Sequence, residues 1–117
     1  MLAAFIFAAT LDAATLARAD VHDCMQRVLK DGGYGRLPIE GAAFLIANRD
    51  AFECRMWPRS PGFHSQEWRA RVPENAVAII HSHPAHLPDP SWADMQLAKR
   101  LRLPIFVVTP RHVTHTE

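Results

Sequence analysis

The chain has 117 residues, about half of them apolar, and 13 basic against 12 acidic side chains for a formal charge of +1. One domain is expected at this length, burying roughly two-thirds of the unfolded surface. The near-balance of charge excludes a general drive toward nucleic acid or an anionic membrane. No apolar run reaches the roughly 20 residues of a membrane-spanning helix.

The start, "MLAAFIFAATLDAATLARAD", supports two readings. The apolar stretch Leu2 to Leu11, followed by Ala17-Arg18-Ala19, resembles a cleavable signal peptide over residues 1–19 of an exported protein. The absence of Lys or Arg before that stretch, and the interruption at Asp12, favour a first strand running into the first helix of a cytoplasmic protein. From Ala14 to Lys30, Leu16, Val21, Cys24, Met25, Val28 and Leu29 recur at spacings of mostly three and four, which predicts an amphipathic helix ended by "DGGYG". Cys24 and Cys54 form no CxxC pair. Two buried reduced thiols are therefore expected, or one bridge in an exported chain.

"AAFLIA" reads as a buried strand with Glu40 at its leading edge, and "AFECRMW" as a half-buried strand pairing back through "NRD". "EWRARV" alternates and predicts another strand; "AVAII" predicts a buried one running into His81. "SWADMQLAKRLRL" has helical spacing, with Trp92 expected to pack. "IFVVT" reads as a central strand and "PRHVTHTE" as a turn and exposed tail. The order helix, four strands, helix, strand predicts a single-domain α/β fold, a mixed β-sheet flanked by a helix on each side.

The chemistry concentrates in "HSHPAHLPDPSWAD", residues 81–94. Strand alternation points His81 and His83 the same way at a strand's end and Ser82 the other way. Ser91 is a helix N-cap, with Asp94 three residues on in the first turn. Two imidazoles and a carboxylate make a three-ligand zinc site with one position open. The same set would suit a two-His-one-carboxylate iron oxygenase, which a helix-borne Asp94 fits poorly.

Residues 81–94 match H-[ST]-H-P-x6-S-x2-D and so resemble the JAMM (MPN+, Mov34/PAD-1) zinc metalloprotease family, and the order of elements around them is similar. The resemblance implies a cytidine deaminase-like sandwich over residues 20–117, with Zn2+ held by His81, His83 and Asp94. It implies Glu40 as the general base that later protonates the leaving amine, and Ser91 as hydrogen-bond donor to the oxyanion; by its place on the neighbouring strand, Glu53 is the rival to Glu40. It implies cleavage of a peptide or isopeptide bond in a peptide or protein substrate, including a ubiquitin-like protein's tail. A non-catalytic MPN-like scaffold is the alternative. Relatives often continue past "VVTP" with a further strand, so the sheet is expected to be short at one edge.

Overall fold

The computed structural model describes residues 11–36, 39–58, 68, 70–84 and 87–116. The first-strand and signal-peptide readings of residues 1–10 lie outside that set, as do His64 and His86.

A short helix α1 (Ala13–Leu16) is capped by the Asp12 carboxylate, which accepts the Thr15 N–H. The chain then breaks at Ala17–Arg18, so the single helix expected from Ala14 becomes two. Helix α2 (Ala19–Asp31) presents Val21, Cys24, Met25, Val28 and Leu29 as its buried face, as the spacing predicts. A five-stranded sheet follows in the order β2-β1-β3-β4-β5, built from β1 (Ala42–Asn48), β2 (Ala51–Met56), β3 (Ala76–Ser82), β4 (Ile105–Val108) and β5 (Val113–His115). Among these strands β3 and β4 pair parallel, and every other neighbouring pair is antiparallel. Helix α3 (Trp92–Leu101) is the crossover between β3 and β4.

Alternation along β1 and β3 splits the core between two faces. Ala43, Leu45, Ala78 and Ile80 pack under α2; Ala42, Phe44, Ile79 and Ile105 meet Ala98 of α3 and Trp57. A mixed sheet with a helix on each side is therefore the architecture. No described helix is long and apolar enough to cross a membrane.

Two expectations change. Residues 113–115, expected as tail, form β5 against β4, because Thr116 folds back and its hydroxyl accepts the Ile105 N–H at 3.0 Å. The edge expected to be short is thereby filled. The strand expected from "EWRARV" is not one at its described residues. There the Trp68 indole donates to the Arg71 carbonyl, and its ring meets Phe44 edge-on at 5.0 Å.

The helix α2 start and the β1–β2 hairpin are tied by Asp20. Its carboxylate accepts the Phe52 and Val21 N–H groups and pairs with Arg18 at 3.0 Å. The Arg18 guanidinium, with these N–H groups, holds the Asp20 carboxyl down at about 2. Close by, Cys24 and Cys54 are joined in a disulfide, not left as reduced thiols, their Cα atoms 5.4 Å apart. The bond staples α2 to the edge strand β2 across a 30-residue separation, a loop whose closure contributes about 3.6 kcal/mol. Reduction, or Cys24→Ala with Cys54→Ala, is expected to lower the unfolding free energy by that amount, measured by urea titration with and without reductant.

Candidate metal centre

Strand β3 ends with His81 directed to the α3 side and Ser82 to the α2 side, and His83 follows. The Ser82 hydroxyl accepts the Gly41 N–H at 2.9 Å, and the Ser82 N–H donates to the Gly41 carbonyl. This double link fixes the start of β1, where Ala42 pairs with His81, and so holds Glu40 beside the histidines. Only glycine fits on the other side of the link. A Cβ on Gly41 would lie 2.3 Å from the Val28 carbonyl oxygen, and one on Gly32 would lie 2.1 Å from Ser82 Oγ. Gly41→Ala is expected to cost about 2 kcal/mol and to lower turnover about a hundredfold by displacing Glu40 by an ångström or so; thermal melts and initial rates check both.

At the other end of the loop, Ser91 caps α3. Its hydroxyl accepts the Asp94 N–H at 3.1 Å while its own N–H donates to Asp94 Oδ2 at 2.8 Å, a reciprocal capping box. The box orients the Asp94 carboxylate toward both imidazoles. His83 Nε2 lies 2.9 Å from Oδ2 and His81 Nε2 lies 3.0 Å from Oδ1. The two rings stand edge to face at 4.6 Å. The structure thus brings Glu40, His81, His83, Asp94 and Ser91 into one neighbourhood. Glu40, His81 and His83 each offer a ligand atom within 4.8 Å of the others. Glu40, His81 and Asp94 also line one cavity of about 160 Å3 with Trp57, Ile79 and Leu97. Glu53 is elsewhere, exposed on β2 and paired with Arg55 at 2.6 Å.

The donor set fits a divalent cation on two observations. His83 Nδ1 lies 3.1 Å from the Leu87 carbonyl oxygen, which can only accept, so Nδ1 carries hydrogen. A neutral His83 then directs the Nε2 lone pair at a carboxylate, and a proton or a metal ion must lie between them. His81 Nε2 is a buried nitrogen whose contact with Oδ1 lacks hydrogen-bond alignment, so it has no hydrogen-bond partner among the described residues. Ligand atoms about 2.0–2.1 Å from a tetrahedral ion stand about 3.3 Å apart, a few tenths of an ångström wider than the contacts seen.

The same contacts set the electrostatics. Burial works against ionisation of Asp94, but the His81 and His83 imidazoles outweigh it and keep its carboxyl far below the ordinary range. The hydrogen bond to Asp94 raises His83 despite partial burial. The Ser91 cap occupies a lone pair of the hydroxyl oxygen and leaves its hydrogen to donate.

Three contributors escaped the sequence reading. Ser82 was legible only as the residue facing away. The Leu87 carbonyl, which sets the His83 tautomer, has no side-chain signal. Trp57 forms the apolar wall beside Glu40, its ring tilted against Phe44 at 5.2 Å, and its place at the end of an alternating strand was the signal available. Trp92, expected to pack, is instead 73% exposed on the first turn of α3.

Residues 20–117 match the family described as prokaryotic homologs of the JAB domain. No curated protein matches the chain.

Proposed function

Because the chain belongs to the family of prokaryotic JAB-domain homologues, in which isopeptidases occur, we propose that it is a zinc-dependent hydrolase of peptide or isopeptide bonds. The observation that carries this reading is the His83 ring. It is oriented by the Leu87 carbonyl so that its other nitrogen faces the Asp94 carboxylate at 2.9 Å, with a proton or a metal ion required between them.

His81, His83 and Asp94 would hold the ion. When bound there, Zn2+ would supply a Lewis acid that polarises the scissile carbonyl and lowers the pKa of bound water to about 7. Glu40 takes the proton of the attacking water on its carboxylate and returns it to the leaving amine. The Ser91 hydroxyl donates to the oxygen of the carbonyl as it gains charge. Trp57, Ile79 and Leu97 wall the cavity with hydrocarbon, which strengthens each of these interactions by excluding solvent. Substrates are peptides or proteins, ubiquitin-like tails among them. The Cys24–Cys54 bridge supports export, where disulfides persist, over a cytoplasmic location; N-terminal sequencing of the native protein decides whether residues 1–19 are removed.

The test is cleavage of a fluorogenic peptide and of a Lys-linked isopeptide. Activity lost on chelation and restored by Zn2+ supports the reading. Activity indifferent to chelator, at a zinc content shown to have fallen, overturns it.

A further inference from the structure

A second cavity, of about 610 Å3, shares no residue with the one around Glu40 and His81. Its walls include Tyr34, Arg36, Pro88, Pro110, Arg111 and His112. Among the described residues no carboxylate lines it, and neither guanidinium is in an ion pair. Two arginines remain charged at any working pH. Facing one cavity without a counter-charge they repel, and a carboxylate between them relieves that repulsion through paired N–H donors.

The rest of the wall selects among anions. The Tyr34 ring and the two prolines offer hydrocarbon, which a peptide can use and a bare phosphate cannot. Tyr34 is also held in an unusual conformation. Its φ is 56°, between Gly33 at 66° and Gly35 at 77°, and it is 45% exposed. A bulky side chain rarely adopts this left-handed backbone. Another part of the wall is set by the Thr109 hydroxyl, which accepts the His112 N–H at 3.0 Å and fixes the turn that carries Arg111.

The cavity and the candidate metal centre share one loop. Pro88 follows Leu87, whose carbonyl orients His83, and the Pro88 carbonyl accepts the Thr114 hydroxyl of β5. One loop therefore forms a wall of the second cavity and sets a candidate ligand.

We propose that this cavity docks an acidic peptide segment. Resting on the peptidase reading, that segment is the part of the substrate lying on one side of the bond to be cut.

Fluorescence anisotropy with a fluorescein-labelled peptide of Glu interspersed with Gly and Pro tests this, with Gln and Lys counterparts and inorganic phosphate as comparisons. The Glu peptide is expected to bind about tenfold or more tighter than either counterpart, with affinity falling as salt rises. Arg36→Gln and Arg111→Gln, both at exposed positions, are each expected to weaken it about tenfold. Tyr34→Gly is expected to weaken binding while the melting temperature holds or rises, because glycine relieves the backbone. Equal binding of the Gln peptide, or unchanged affinity in both arginine variants, overturns the proposal. So does displacement by phosphate at lower concentration than by unlabelled Glu peptide, which reassigns the cavity to a phosphoryl ligand. Binding is measured also on chelated wild type. Docking that survives where cleavage is absent supports this inference and counts only against the peptidase reading; cleavage without docking does the reverse.

Discussion

Replacing His81 and His83 together by alanine is expected to abolish stoichiometric zinc retention and reduce cleavage to background. Each imidazole is held for ligation. His81 is on a central strand between β1 and β4, and His83 is fixed by the Leu87 carbonyl. Outer contacts alone alter metal affinity 10- to 100-fold, so losing two direct ligands should weaken it by roughly ten-thousandfold or more. The variant also leaves Asp94, 7% exposed, without either imidazole. Breaking a buried charged pair costs about 3–5 kcal/mol, so unfolding is a competing cause. His81→Gln with His83→Gln retains volume and an amide donor for Asp94, and is expected to fold and still lose the ion. Elemental analysis of dialysed protein and competition with a chromophoric chelator give the readout. Full zinc content in a folded double variant overturns the assignment of ligands.

Glu40→Gln should separate holding the ion from using it. The amide has the shape of the carboxylate and cannot take a proton. Turnover is expected to fall by about 10^2–10^4, with zinc content unchanged and KM nearly so, since the loss falls on proton transfer and not on ground-state contacts. Glu53→Gln should leave rates untouched, because Glu53 is exposed on β2 and committed to Arg55. If Glu40→Gln retains full biological activity with the metal in place, the chain is a protein-binding scaffold, the alternative that its sequence also allows.

The candidate site was legible where local rules fix direction. Alternation sent His81 to one face and Ser82 to the other, and the S-x-x-D spacing became a reciprocal cap that orients Asp94. The helix faces were legible for the same reason: Val21, Cys24, Val28 and Leu29 are buried as their spacing requires. What escaped depends on distant partners. A run as short and polar as "HVTHT" does not announce a strand, and the Val113–His115 pairing with β4 is closed at the end away from the turn by the Thr116 hydroxyl, which accepts the Ile105 N–H. The disulfide required knowing that α2 lies over β2. In "EWRARV" the period was right for a strand, but Trp68 had a better use, filling the space beside Phe44 and Trp57. Trp92 has helical spacing with Met95, yet both lie on the outward side of α3.

The glycine–serine contact behind the sheet has a consequence for how variants of this protein will be interpreted. Gly32 and Gly41 bear no reactive group, but bulk at Gly32 meets Ser82, and bulk at Gly41 meets the Val28 carbonyl and pushes on the backbone that Ser82 holds, so each acts on the strand ends where Glu40 and His81 sit. A survey scored by turnover alone would classify both glycines as part of the chemical machinery. Scored by melting temperature as well, they would show themselves as the hinge pin against which that machinery is aligned.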